Sequence, residues 1–108
     1  YQSPSIEEGL NVLKKSNLQQ IIVVPLFPQY ASATTGSVYE KVMDIVKNWQ
    51  TLPDIRFVSR FFDHPKFIQA FEEIGRQYLE KHHYDHVVFS YHGIPERQIR
   101  KGDDYGVC

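Results

Sequence analysis

The strongest constraint on the fold is a run of four β-branched residues, from Ile21 to Val24, inside a short segment over residues 20–25. A strand with one face in water alternates apolar and polar residues, whereas an unbroken apolar run is typical of a parallel strand covered on both faces. Two further short strands are expected over residues 55–59 and 86–91. The pattern therefore predicts a covered, parallel sheet at the centre of the fold.

Three segments with the helical repeat of apolar residues alternate with these strands. The first begins at Ser5, which has the capping-box spacing with Glu8. The second is expected over residues 36–50 with a Thr or Ser as its cap, and the third has Asp63 as its cap and Pro65 in its first turn. This order predicts an α/β fold in which right-handed crossovers connect parallel strands.

The composition restricts the class of protein. The 108 residues, 42% of them hydrophobic, are enough for one globular domain or part of one. A net charge of −1 argues against a domain that binds duplex nucleic acid, and no apolar run approaches a membrane span of about 20 residues. The single cysteine, Cys108, leaves no internal disulfide and fits a reducing cytoplasm. Because the chain starts at Tyr1 without a methionine, we expect it to be part of a longer protein.

The carboxyl ends of the predicted strands define a candidate site. Parallel strands end at one edge of their sheet, and open α/β sheets bind their ligands at that edge. The loops over residues 26–35 and 60–64 and the loop that begins at His92 should therefore share one rim. The side chains expected at this rim are those of Phe27, Gln29, Tyr30, Ser32, Thr34, Thr35 and His92.

His92 is the strongest candidate for chemistry. It follows the apolar residues 87–91 and precedes Gly93 and Pro95, which places it at a strand end in a stiff loop. A neutral imidazole near pH 7 binds a borderline divalent metal, and it also accepts a proton at little cost. The alternative is a structural histidine whose ring nitrogens bind backbone groups, and position alone leaves the two interpretations open.

Three other features have a simpler structural explanation. The histidines at positions 82, 83 and 86 span a helix end and a strand start at the opposite edge, where the helix dipole favours histidine without any metal. The TTGS segment over residues 34–37 could bind an anion, but it lacks the lysine and glycines of a nucleotide loop, so a helix cap is favoured. Cys108 supplies one thiol of the four that iron–sulfur clusters usually need.

Several motifs resemble those of the ferrochelatase family. PLFPQY at residues 25–30, followed by TTGS at residues 34–37, resembles a family signature. FSYHGIPER at residues 89–97 resembles the stretch with the family's catalytic histidine, in the form common among Gram-negative bacteria. Residues 1–6 resemble the tail of an Arg-Tyr-x-x-Pro segment. The order and spacing of the motifs cover essentially the whole chain.

This resemblance implies a fold and an activity. The family inserts Fe²⁺ into protoporphyrin IX, or into coproporphyrin III in some bacteria, late in heme synthesis. Its members have two similar doubly wound lobes, each a three-layer αβα sandwich, with the porphyrin in the cleft between them. The chain over residues 1–108 would be the middle part of the amino-terminal lobe. The second lobe of the same polypeptide would supply an acidic partner residue, so the isolated chain is expected to be inactive.

The resemblance also assigns roles to residues. His92 matches the metal-binding or proton-accepting histidine, and the residues that would line the macrocycle pocket are Tyr1, Phe27, Gln29, Tyr30 and Ser32. Fe²⁺ is expected as a substrate and no cofactor as a requirement. The expected location is the cytoplasm, and peripheral contact with the inner membrane stays open.

Two departures from the family pattern bear on these roles. Phe27 replaces a common Tyr, and Ser32 stands where animal members carry a cluster cysteine, which argues against an iron–sulfur cluster. Two alternatives are a cobalt chelatase of the same fold that acts on sirohydrochlorin and a non-catalytic module that binds tetrapyrroles. Both would use the same rim.

Overall fold

The computed structural model describes residues 3–102, and the chain divides into two compact units, Tyr1–Arg60 and Phe61–Cys108. The first unit holds helix α1 (Ile6–Lys14), strand β1 (Gln20–Val23), a π-helical turn (Ser32–Gly36), helix α2 (Ser37–Val46) and strand β2 (Asp54–Phe57). The second unit holds helix α3 (Pro65–Leu79) and helix α4 (Glu96–Gly102).

The two strands form a parallel pair, as the sequence predicts. Gln20 lies opposite Asp54 and Val23 lies opposite Phe57. The Gln20 side-chain amide donates a hydrogen bond of 2.6 Å to the Asp54 carboxylate at the start of both strands. Parallel strands need a crossover between them, which α2 provides here. Both strands of the first unit therefore end at one edge of the sheet, and the segment over residues 24–31 leaves from that edge.

One face of this sheet is covered by helices. The buried core consists of Leu10, Ile21, Val42, Val46 and Trp49. Alternate residues of a strand point to opposite faces, so Ile21 enters this core while Ile22 is exposed. The prediction that β1 is covered on both faces is wrong for the described residues, because α1 and α2 pack on the same side. The α/β class is confirmed, and the third layer of the expected sandwich stays a prediction.

The starts of the helices confirm one predicted cap and correct two. In α1 the Glu8 amide donates to the Ser5 hydroxyl at 3.1 Å and the Ser5 amide donates to the Glu8 carboxylate, so the capping box is present. The Thr or Ser cap predicted for α2 is wrong, because that helix continues a π-helical turn and its preceding residue is Gly36. For α3 the cap is His64 rather than Asp63: its Nδ1 accepts the Lys66 amide at 3.2 Å.

The third strand expected over residues 86–91 is absent from the described part of the chain, where the sheet has two strands. Val88 is 88% exposed and Tyr91 is 81% exposed. A strand needs backbone partners and buried side chains to offset the entropy of ordering it, and this segment has no such burial here. The prediction is wrong for this structure, and His92 does not follow a strand in it.

The second unit is built on α3, whose apolar side chains are largely exposed. None of its residues is buried, although Phe67 makes edge-to-face contacts with Phe61 and Phe71. Helix α4 was not predicted; its signals are Pro95 before the first turn and an ion pair of 3.1 Å from Glu96 to Arg100. Within residues 3–102, none of the helices has the length and apolar character required to cross a bilayer.

Candidate functional site

Four of the predicted site residues lie in the segment that connects β1 to α2, at the carboxyl edge of the sheet. Phe27 is 43% exposed, and Gln29 and Ser32 are also exposed. Tyr30 is partly buried. This segment therefore offers an aromatic face, an amide and a hydroxyl to a ligand at the edge where α/β sheets commonly bind one. It is called the β1–α2 loop below.

The loop enters α2 through a π-helical turn. The Gly36 amide donates to the Ala31 carbonyl at 3.1 Å, which closes a turn five residues long, and the Thr34 amide donates to the same carbonyl. Single π-helical turns are frequent at functional sites. The helical geometry thus begins at Ser32, four residues earlier than the expected start at residue 36.

In the TTGS segment the hydroxyls of Thr34 and Ser37 bind the helix itself, whereas the buried Thr35 hydroxyl has no hydrogen-bond partner among the described residues. The Thr34 hydroxyl donates to the Ala31 carbonyl at 3.3 Å. The Ser37 hydroxyl lies 2.8 Å from the Thr34 carbonyl and 3.2 Å from the Ala33 carbonyl. These groups stabilise the π-helical turn by bonding to its carbonyls rather than by capping its amides. The structural explanation of the segment is therefore better supported than an anion site.

Tyr30 lies against the first turn of the helix. A β-carbon built on Gly36 would come within 3.1 Å of the Tyr30 hydroxyl, which is closer than an ordinary van der Waals contact. The absence of a side chain at Gly36 lets the phenol approach the helix backbone. The close approach of Tyr30 thus explains why position 36 is a glycine.

Tyr39, a residue that the sequence did not single out, lies in the first turn of α2, just after this loop. Its ring packs on Phe57 of β2 with 4.1 Å between ring centroids. Burial raises the pKa of the Tyr39 phenol, the neighbouring Ser59 side chain opposes that rise, and the negative charge that Tyr30 can acquire adds to it. The signal was its position four residues after Thr35, which is fully buried, because that spacing places both on one helix face.

The other predicted site residues are not part of the β1–α2 loop in the sequence. His92 belongs to the second unit, where it is exposed in the segment before α4. Its catalytic role stays a prediction. Tyr1 and Cys108 lie outside the described residues, so their expected roles are untested.

The histidine-rich segment after α3 has no metal-binding arrangement. Within residues 3–102, no three His, Cys, Asp or Glu side chains come together as a group that could hold a metal ion. His82 instead contacts the Tyr84 ring edge-on, with 5.9 Å between ring centroids.

A parallel β-α-β unit with an exposed aromatic loop at its carboxyl edge is typical of α/β proteins that bind a ligand there. The family model described as Ferrochelatase matches residues 1–107. The chain therefore belongs to the ferrochelatase family.

Curated relatives agree with this assignment over nearly the whole chain. The chain is 40% identical to the ferrochelatase of Hamiltonella defensa and 42% identical to that of Aromatoleum aromaticum. Each alignment covers 97% of the present chain. The chain is 36% identical to the coproporphyrin III ferrochelatase of Enterococcus faecalis, again over 97%. The chain spans 33%, 29% and 34% of these relatives, respectively. No solved structure matches the chain significantly.

Proposed function

We propose that the protein with this chain is a ferrochelatase, a lyase that inserts Fe²⁺ into a porphyrin during heme synthesis. The observation that carries the proposal is the family match across residues 1–107. Relatives named ferrochelatase and coproporphyrin III ferrochelatase both resemble the chain, so protoporphyrin IX and coproporphyrin III are the two candidate substrates.

The chain would form the middle of an amino-terminal lobe, in a three-layer αβα sandwich, and a second similar lobe would supply the acidic partner residue. The span of about a third of the relatives' length supports a larger enzyme. The porphyrin would lie between the two lobes.

The β1–α2 loop would line the macrocycle pocket. A porphyrin is a flat apolar ring, and an exposed aromatic side chain such as Phe27 offers it a matching face. Gln29, Tyr30 and Ser32 would add polar contacts, together with Tyr1. Phe27 provides this face without a hydroxyl, so its contact with the macrocycle would be apolar only.

His92 would act on the metal or on the pyrrole protons. Insertion of Fe²⁺ replaces two N–H protons of the porphyrin, so the site must accept protons and guide a cation that has lost water. An imidazole can do either, because its ring nitrogen accepts a proton or binds a borderline divalent cation. The exposure of His92 within its unit leaves the ring accessible for this role.

Iron would be the substrate, and no resident cofactor would be required. Ser32 cannot replace a thiolate ligand of an iron–sulfur cluster, because such clusters are held by cysteine. The enzyme would work in the cytoplasm, and peripheral contact with the inner membrane stays open.

The test is metal insertion by the complete protein. Purified enzyme would be given Fe²⁺ with protoporphyrin IX or coproporphyrin III, and Co²⁺ with sirohydrochlorin, and the metalated products would be followed by absorbance. We expect iron insertion into at least one of the two porphyrins. Cobalt insertion into sirohydrochlorin alone would make the protein a cobalt chelatase, and porphyrin binding without any insertion would make it a binding module.

A further inference from the structure

The carboxyl edge of the first unit contains a tyrosine whose role the proposed function leaves open. Tyr39 lies in the first turn of α2, and its ring contacts Phe57 at the end of β2. The hydroxyl is buried, and no described residue lies at the distance and angle of a hydrogen bond to it. A buried hydroxyl of this kind is costly, which suggests a role besides packing.

Tyr39 is near groups from three parts of this unit: Tyr30 of the loop, Gly36 before α2 and Ser59 after β2. Tyr30 rests on the helix backbone at Gly36, and Tyr39 follows Gly36 by three residues, a spacing that puts neighbours on one face of a helix. The two phenols are close enough that a charge on Tyr30 raises the pKa of Tyr39. The side chain of Ser59, just beyond β2, opposes this rise in the pKa of Tyr39.

We propose that Tyr39 is a positioning residue for porphyrin binding: it supports Tyr30 against the first turn of α2 and so holds the β1–α2 loop in its binding conformation. The inference rests on the proposed function, since it assumes that this loop contacts the porphyrin. The Phe57 contact anchors the Tyr39 ring to the sheet and so restricts where its hydroxyl can lie. Tyr39 itself would not touch the substrate.

The experiment is a double-mutant cycle in the complete enzyme with Tyr39→Phe, Tyr30→Phe and both changes together. Tyr39→Phe keeps the ring on Phe57 and removes only the hydroxyl. The dissociation constant of metal-free protoporphyrin IX is measured from porphyrin fluorescence, and the thermal midpoint is measured in parallel. We expect Tyr39→Phe to weaken binding by about three- to tenfold, because the loop loses the polar support of one buried hydroxyl. The double variant should bind about as well as the weaker single variant, because the two hydroxyls act together.

Tyr78→Phe is the matched control. Tyr78 is exposed on α3 in the second unit and loses the same hydroxyl in the same substitution. It should leave the dissociation constant unchanged. The proposal would be overturned if the losses of affinity in Tyr39→Phe and Tyr30→Phe multiplied in the double variant. It would also be overturned if Tyr39→Phe lowered the thermal midpoint but left porphyrin binding unchanged.

Hydrogen exchange separates this inference from the proposed function. Loss of the Tyr39 hydroxyl should speed amide exchange over residues 29–36, whereas Tyr78→Phe should not, and unchanged exchange would contradict the positioning role. If the wild-type enzyme neither binds porphyrin nor inserts metal, the proposed function is wrong. The exchange measurement would still decide whether Tyr39 holds the loop.

Discussion

The hydroxyl of Tyr30 occupies the space that a side chain at Gly36 would need, since a β-carbon there would lie 3.1 Å from it. This contact joins two motifs that are separate in the sequence, PQY and TTGS. Gly36 has φ −60° and ψ −45°, ordinary right-handed helical values, so no special backbone conformation explains the glycine. The close approach of Tyr30 explains it.

Gly36→Ala should therefore separate stability from binding. Alanine suits a helical backbone better than glycine by about 1 kcal/mol, which opposes the cost of crowding, so the thermal midpoint should stay the same or rise. The new methyl group should push the Tyr30 hydroxyl away and weaken porphyrin binding by about fivefold, a loss comparable to one hydrogen bond. Porphyrin fluorescence titration and thermal unfolding measure the two effects.

Gly75→Ala is the control, because it lies in α3 and a β-carbon there has nothing within 4 Å. It should raise helix stability without any effect on porphyrin binding. If Gly36→Ala binds porphyrin as tightly as the wild type, the Tyr30 contact has no role in the site.

His92→Ala in the complete enzyme should remove metal insertion while porphyrin still binds. The imidazole would be lost as proton acceptor and metal ligand, whereas the β1–α2 loop is untouched. Removal of a general base typically slows a reaction by about a hundred- to ten-thousandfold. Insertion of Zn²⁺ or Fe²⁺ into protoporphyrin IX measures the rate, and fluorescence measures the binding.

His86→Ala provides the comparison, since His86 is also an exposed histidine of the second unit. Its removal should leave insertion near the wild-type rate. Near-normal insertion by His92→Ala would overturn the catalytic assignment.

The features that sequence analysis predicted correctly depend on neighbours within a few residues or on a strong periodic pattern. The capping box joins Ser5 to Glu8 over one turn, and the stripe on α2 repeats with the helical period. The parallel pairing of β1 and β2 followed from the helix between them.

The features it missed depend on contacts that no local pattern encodes. The π-helical turn at Ser32–Gly36 is held by local hydrogen bonds to the Ala31 carbonyl, but these leave no periodic apolar pattern in the sequence. The contact of Tyr30 with Gly36 leaves no such pattern either. Residues 86–91 have the apolar character of a buried strand, yet a strand forms only where partners cover it. Pattern alone therefore placed the loop residues at the carboxyl edge of the sheet, but it predicted neither Tyr39 nor the state of the segment before His92.

Val46→Ala should destabilise the first unit by about 2 kcal/mol. Val46 is 1% exposed in the core between α2 and the sheet, so its truncation removes buried apolar surface and leaves a cavity. Urea unfolding of the complete protein would measure the loss in free energy of unfolding, and hydrogen exchange of the β1 amides would assign it to the first unit. Val12→Ala makes the same chemical change at a site that is 66% exposed and should have an effect below about 0.5 kcal/mol. Equal effects of the two variants would contradict the assignment of the core.

Acid should weaken the start of α1 through its capping box. The Ser5 amide and hydroxyl lower the pKa of the Glu8 carboxyl below its ordinary value of 4.5. A carboxyl group with a lowered pKa in the folded state stabilises the fold above its unfolded pKa, and this contribution is lost as the pH falls through the folded value. Exchange of the Glu8 and Gly9 amides should therefore accelerate, after correction for intrinsic rates, as the pH drops below about 4.5. Glu8→Gln keeps a hydrogen-bonding side chain without the charge and should remove this pH dependence, while Glu7→Gln should not; a persistent acid effect in Glu8→Gln would place its origin elsewhere in the chain.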